Sequence, residues 1–436
     1  MILSKRTTII NQMSICVNIE SIPWAFRKNI NTELEIKMES KFGGAPAKYI
    51  YPFEIEGENI ILPFSYAVLN GKIKRPLRDT LPANECSFEG VLRPEQKEVR
   101  KEAIERLSST GSILLSMYCG FGKSSTSMKL ACDIGLKTLI IVNKLILVKQ
   151  WEEGIKNFCP SASVQKITPK CKKDNCDFYI VNAQNMEKMG RTFFSEIGTV
   201  IVDEAHLIMA ETLSRCLQWV HPRYLIGLTA TPYRPDGLNK LLDFYFGNYK
   251  IIRTLSREHI AYKVSTGFKP NIELARNGRV NWGAVLDSQA NDIDRNELII
   301  KILKYYSNRN FLVLTKRVAQ GEYLFKRLQE EGEDVTSLFG SNQEYKISSR
   351  ILVGTNSKCG TGFDHPKLDA LLLAGDLEQY FVQYLGRVFR TKDVKPIIID
   401  LVDNYSLLSK HFNTRRKIYQ DHGGTVVNFD LGVLDI

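Results

Sequence analysis

The chain has 436 residues, 44% hydrophobic and 25% charged, and 59 Lys+Arg against 48 Asp+Glu give a net charge of +11. That length exceeds one ordinary core and implies two or three domains. No apolar run approaches the ~18–20 residues of a membrane span, and "MILSKRTTIINQ" lacks a signal-peptide core, so an intracellular, soluble globular protein is expected and a membrane partner is not.

In chain order, residues 1–90 read as a small β-rich accessory domain. "KYIYPFEIEGENIILPFSYAVLNGKI" holds aromatic and β-branched runs broken by Pro52, Gly57, Pro63 and Gly71. From 91 the pattern changes. "RPEQKEVRKEAIERLSS" is helical, and "GSILLSMY" is a buried strand followed by a glycine loop and a helix from about Lys123. "KTLIIV", "DFYIVN", "GTVIVDEAH" and "YLIGLTATP" supply further strands. The alternation pauses between about 247 and 295. It resumes with the strands of "NFLVLTK", "RILVGT", "LDALLLAGD" and "KPIIIDLVD", between which lie the helices "RVAQGEYLFKRLQEEG" and "QYFVQYLGRVFR". Strands alternating with helices predict an α/β fold of two doubly wound parallel sheets, at 91–250 and 251–436.

The nine cysteines are scattered. Cys171 and Cys176 could form half of a metal site, but no second close pair follows and zinc needs about four ligands. Free thiols in a reducing compartment are expected. The basic balance favours a polyanionic partner, nucleic acid first.

The chemistry-bearing stretch is "SMYCGFGKSSTSMKL". It has half of the phosphate-loop pattern G-x-x-x-x-G-K-[ST], with Met117 where the first glycine belongs. Gly120 and Gly122 would let backbone N–H groups approach phosphates. Lys123 would reach the β- and γ-phosphates and Ser124 would bind Mg²⁺, with Ser125 in the same nucleotide-binding turn. In "VIVDEAH", Asp203 and Glu204 follow an apolar strand expected beside the loop strand. There Asp203 would hold Mg²⁺ through water and Glu204 would polarise the attacking water.

"DEAH" after such a loop resembles the superfamily 2 helicases and translocases. "LRPEQ" is similar to their upstream adenine-reading element, with Gln96 in the glutamine's place. "TLIIVNKLILVKQW" resembles the backbone-gripping motif, with Lys144, Lys149 and Trp151 in or near it. "LTATP" carries Thr229 and Thr231 of the coupling motif, with His206 of "DEAH" as their relay. "ILVGTNSKCGTGFDHP" resembles motif V, with Thr355, Gly360, Gly362 and Asp364. "QYLGRVFR" matches Q-x-x-G-R-x-x-R, with Gln383, Gly386, Arg387 and Arg390. These motifs run in order from 92 to 390.

The resemblance implies two tandem RecA-like domains with ATP and Mg²⁺ between them, and Arg387 and Arg390 meeting the γ-phosphate. "GLTATPYRPDG", with Arg234, Asp236 and Gly237, resembles XPB-like and UvsW-like DNA translocases; "CGFGKS" and "QYLGRVFR" resemble the transcript-release helicases of poxviruses and other large DNA viruses. DNA is therefore the expected partner and RNA the alternative, with RNA polymerase or transcription and repair factors as protein partners. For a viral chain the expected site is host cytoplasm, viral factory or virion. Two alternatives remain: an RNA helicase, and the motor subunit of a larger complex. The run "KHFNTRRKIYQDH" interleaves basic and aromatic residues and reads equally as a DNA contact or a solvated amphipathic helix.

Overall fold

The computed structural model describes residues 16–38, 48–209, 213–231, 238–275, 278–342, 344–360, 363, 365–377, 381–391 and 393–434. Two compact units divide the chain, one of Met1–Met117 and Phe121–Arg253, the other of Tyr118–Gly120 and Thr254–Ile436.

The first unit opens with small antiparallel pieces. β1 (Cys16–Asn18), β4 (Glu54–Glu56) and β5 (Asn59–Ile61) form a three-stranded sheet, and β2 (Ile36–Met38) pairs with β3 (Lys48–Ile50). Ile60, Ile61, Leu62, Phe64 and Tyr66 join the same core as Leu241, Tyr245 and Phe246, so this β-rich region packs onto the larger body.

That body is a seven-stranded parallel sheet. Its strands are β6 (Ser112–Met117), β7 (Thr138–Val142), β8 (Val164–Ile167), β9 (Phe178–Asn182), β10 (Thr199–Val202), β11 (Tyr224–Thr229) and β12 (Lys250–Arg253), in the order β12-β6-β11-β10-β7-β9-β8. Every residue of β6, β7, β9 and β10 is buried, as parallel strands covered on both faces require. The helix Pro94–Thr110 has a proline in its first turn and ends on Gly111, whose φ of 79° suits a residue without Cβ.

The second unit repeats the design. β13 (His259–Ser265), β14 (Phe311–Thr315), β15 (Val335–Leu338), β16 (Ile351–Thr355), β17 (Ala370–Leu373), β18 (Ile397–Val402) and β19 (Gly424–Asn428) form a second parallel sheet, ordered β15-β16-β14-β17-β18-β13-β19. Its two faces bury separate apolar clusters, one around Leu312, Leu371 and Ile398 and the other around Val313, Ile351 and Ile399. The fold class expected from the sequence is thus the one observed.

The sequence pattern missed five strands. β8, β12, β13, β15 and β19 mix polar with apolar residues and are only partly buried, so no apolar run marks them. The stretch 247–295 therefore holds β12, β13 and the helix Trp282–Asn291, where a pause in the alternation was expected. Ser406–Asp421 is a helix, and Phe412, Arg415 and Tyr419 are buried in it. They are the core face of an amphipathic helix whose Lys410, Arg416 and Lys417 are exposed, so the amphipathic-helix reading describes this C-terminal run. No helix among the described residues is long and apolar enough to cross a membrane.

Candidate nucleotide site

The loop after β6 answers the question of Met117. Its two left-handed positions are Gly120 (φ 90°) and Gly122 (φ 89°). Both are glycines, as that backbone region requires. Met117 is the last residue of β6, fully buried and without a positive φ, so nothing there calls for glycine. Gly122 caps the helix Lys123–Ile134, directing that helix N-terminus at the loop.

Several side chains hold the loop in place. The Lys123 ammonium donates to the Met117 carbonyl at 3.1 Å. Gln96 accepts from the Arg93 N–H at 2.8 Å and donates from Nε2 to the Phe121 carbonyl at 2.9 Å. Arg93 also donates to Phe121 O. A Cβ on Gly122 would collide with Gln96 Nε2. Ser125 Oγ donates back to Gly122 O at 3.0 Å. Gln96, Gly122, Lys123 and Ser125 therefore share one turn, and the half-buried Ser124 lies between Lys123 and Ser125 at the helix start.

The acids lie at the carboxyl end of β10. They were expected on the strand next to β6; instead β11 lies between β6 and β10, pairing with both. The consequence is useful. Thr229, the last residue of β11, stands between the loop strand and the acid strand.

Asp203 is buried. Its Oδ1 accepts the Glu204 N–H at 2.9 Å and its Oδ2 accepts the Trp151 indole N–H at 2.8 Å. Burial first and the Glu204 charge second push its carboxyl up to about 6, while the Trp151 hydrogen bond and Lys123 pull the other way. Glu204 has φ 48° and ψ 49°, a left-handed residue with a Cβ, which costs roughly 1–3 kcal/mol. Its Oε2 is buried without a hydrogen-bond donor, and His206 Nδ1 lies 3.5 Å away.

His206 is fully buried and its Nδ1 meets Thr229 Oγ1 at 2.8 Å. That hydroxyl also faces the Thr231 carbonyl at 2.8 Å and accepts the Thr231 N–H at 3.0 Å. The hydroxyl has one proton. Giving it to the Thr231 carbonyl makes His206 Nδ1–H the donor to Thr229. A hydrogen-bonded line thus runs from His206 Nδ1 through Thr229 to Thr231, and the Glu204 carboxylate lies 3.5 Å from that same nitrogen.

The Ser124 hydroxyl and the Asp203 carboxylate are oxygen ligands of the kind Mg²⁺ takes. Among the described residues no three His, Cys, Asp or Glu are arranged to hold a metal by themselves. A cation at Ser124 and Asp203 would take its other ligands from phosphate and water, as Mg²⁺ commonly does.

In the second unit, Gln383, Gly386 and Arg387 lie on the helix Phe381–Val388 and Arg390 follows it. Gln383 is buried. Arg387 donates to the carbonyls of Phe363 and, at 3.3 Å, Gly360, and Tyr384 donates to Asn356 O at 2.7 Å. This helix is therefore tied to the segment after β16 that resembles motif V. Gly362 and Asp364 lie outside the described residues, as do Arg234, Asp236 and Gly237.

Trp151 was expected near nucleic acid. It is instead 2% exposed and bonded to Asp203, while Lys149 on the same helix, Leu145–Phe158, is exposed. An apolar residue on an amphipathic helix carries no signal for such a role. Trp151→Phe keeps the ring but removes the N–H. With Asp203 as the Mg²⁺ ligand expected from the sequence, the result should be a ~10-fold higher Mg²⁺ concentration for half-maximal ATP binding, the size of effect typical when a ligand's own hydrogen-bond partner is lost; Mg²⁺ titration of fluorescent-ATP binding measures it, and an unchanged titration midpoint contradicts it.

With this geometry in view, comparison with known proteins gives a consistent picture. The family described as "Type III restriction enzyme, res subunit" matches residues 89–234. The chain is 42% identical to helicase 161L of Invertebrate iridescent virus 6, over 96% of this chain and 100% of that protein. It is 31% identical to helicase 055L of Frog virus 3, over 77% of this chain and 79% of that one. The chain belongs to this family of viral helicases. Transcript termination protein A18 of Yaba-like disease virus is 24% identical over 79% of this chain and 78% of its own length. Among solved structures, S. cerevisiae Dbp5 bound to RNA and ADP BeF3 aligns with TM-score 0.56 at 14% identity, covering 79% of this chain and 97% of that one, a likeness of fold. By family the chain is accordingly a helicase, an enzyme that uses ATP on nucleic acid.

Proposed function

We propose that this helicase is an ATP-driven motor that moves on DNA. The observation that carries the reading is the hydrogen-bonded line from His206 through Thr229 to Thr231, with the Glu204 carboxylate 3.5 Å from His206 Nδ1. It connects the group suited to activate water with the motif that resembles the coupling element. In this reading Gln96 recognises the base, and Gly120, Gly122, Lys123 and Ser125 cradle the phosphates. Ser124 and Asp203 hold Mg²⁺, which neutralises charge on the phosphate oxygens. Glu204 takes the proton of the attacking water. Arg387, Arg390 and Gln383, with Gly362 and Asp364, act on the same nucleotide from the second half of the chain. Residues 91–250 then form the nucleotide-binding domain, 251–436 the second motor domain and 1–90 an accessory domain.

Glu204→Gln keeps the size and hydrogen-bonding shape of the side chain. ATP binding should persist while hydrolysis slows by ~10²–10⁴-fold, the usual contribution of a positioned base. Rapid-quench turnover at wild-type rate would remove Glu204 from this role.

DNA is favoured by the "TATPYRPDG" pattern, which resembles that of DNA translocases, and the name of the A18 relative, a transcript termination protein, favours a role in transcription. A role with RNA polymerase in transcript release, or with repair factors, follows from the same resemblance; for a viral chain, such work falls in the host cytoplasm, viral factory or virion. The RNA-bound state of Dbp5 favours the second reading, an RNA helicase. Displacement of a third strand from triplex DNA separates the two. ATP-dependent displacement supports a DNA motor; displacement of RNA from RNA duplexes alone, with inert triplexes, supports the second reading.

A further inference from the structure

The nine cysteines looked scattered in sequence, but three converge. Cys86 Sγ lies 3.2 Å from Cys132 Sγ, and Cys132 Sγ lies 3.6 Å from Cys159 Sγ. All three belong to the first unit. Cys132 is on the helix that begins at Lys123, and Cys159 caps the helix Leu145–Phe158. Cys86 lies on the segment that joins the N-terminal β-rich region to the main sheet.

That segment is strapped across the ends of both helices. Ala83 bridges antiparallel to Leu136, and the Asn84 N–H donates to Gly135 O at 3.1 Å. The Cys86 N–H donates to Asn84 Oδ1 at 2.9 Å. Further on, Phe88 stacks on Phe158 at 5.6 Å and 7°, and the Glu89 N–H donates to Phe158 O at 2.8 Å. The strap thus has ordered backbone on both sides of Cys86, and its thiol is held against Cys132 by the fold. Cys132 is the half-exposed member, whereas Cys86 and Cys159 are buried. The trio is not arranged to hold a metal.

We propose that Cys132 is an oxidation site for hydrogen peroxide, with Cys86 as its resolving thiol. Hydrogen bonds to Cys159 and Cys86, and burial, push the Cys132 thiol up, so its small deprotonated fraction attacks the O–O bond, giving a sulfenic acid and releasing water after proton transfer. The Cys86 sulfur then attacks the Cys132 sulfur and expels a second water. Two thiols are oxidised, one peroxide is reduced, and one S–S bond forms. The sulfurs need only about 1 Å of approach to reach the ~2.05 Å of a disulfide. Cys159 is the alternative resolving thiol, slightly further away. Either bond staples the helix that carries the phosphate loop: to the strap through Cys86, or to the neighbouring helix through Cys159.

The test uses the full chain. It is treated with hydrogen peroxide, remaining thiols are alkylated, and the disulfides are mapped by peptide mass spectrometry. The expected product is an intramolecular Cys86–Cys132 link, reversed by dithiothreitol, with an upward shift of the thermal unfolding transition. Cys86→Ser should divert the product to Cys132–Cys159, and Cys132→Ser should abolish both links. Cys132 alkylated as fully after peroxide as before overturns the proposal. So does a Cys132 found only in links between chains or only as sulfinic or sulfonic acid. The wild-type map decides this even where a serine variant fails to fold.

Discussion

Lys123→Ala is expected to lower ATP hydrolysis by at least ~10²–10³-fold, the loss typical when a charge-stabilising group is removed from a preorganised site. The ammonium sits at the start of the loop helix and bonds to the Met117 carbonyl at 3.1 Å. It is therefore already folded back over the loop that Gly120 and Gly122 shape. Its loss removes the one loop cation without removing any core contact, because Lys123 is only half-buried. The unfolding temperature should stay close to that of the unsubstituted chain. Steady-state phosphate release and thermal unfolding, measured together, check this. Hydrolysis at the unsubstituted rate would mean that the loop does not serve nucleotide; a collapsed unfolding temperature would mean that Lys123 is structural.

Arg415→Ala should instead destabilise the second unit by ~3–5 kcal/mol, the cost of breaking a buried ion pair by removing one partner. Arg415 is 2% exposed. Its Nε and Nη2 donate to the two oxygens of Asp400, each at 2.8 Å, and its Nη1 donates to Asp376 Oδ1 at 2.9 Å. Tyr419 OH donates to Asp400 at 2.7 Å, and His411 Nδ1 lies 2.6 Å from Asp376. The substitution leaves two carboxylates buried together without their shared cation. Burial acts to raise the Asp376 carboxyl, but His411 and Arg415 outweigh it and hold the group below the ordinary carboxylate range. A depressed pKa contributes stability above the unfolded value, and that contribution is lost as pH falls through the folded one. The second unit of the unsubstituted chain should therefore weaken on acidification below about pH 4. Denaturant unfolding of the variant at neutral pH is the check. A midpoint unchanged from that of the unsubstituted chain contradicts the network's role.

These residues show which features a sequence displays and which it hides. β6, β7, β9 and β10 are buried along their whole length, so each is a plain apolar run. β8 reads "VQKI" and β13 reads "HIAYKVS"; their partial exposure admits polar residues and erases the run. The strand order was equally hidden, because periodicity says nothing about crossovers, and β11 was not expected between β6 and β10. In the candidate site, glycines and acids at fixed offsets stood out, since left-handed backbone and cation binding accept few residue types. Trp151 stood out for a different role, contact with nucleic acid, because nothing in the spacing joins its indole to Asp203, 52 residues away. Arg415 misled for a like reason: a basic residue in a basic run looks solvated until its carboxylate partners, 15 and 39 residues away, are placed beside it.

The most direct test of the account is the ATPase rate of the full chain without nucleic acid, then with single-stranded DNA, duplex DNA and single-stranded RNA, each at two salt concentrations. The account predicts strong stimulation by DNA that falls as salt rises, because contacts to phosphate release counterions. Stimulation by RNA alone would contradict the DNA assignment, and no hydrolysis under any condition would contradict the motor itself.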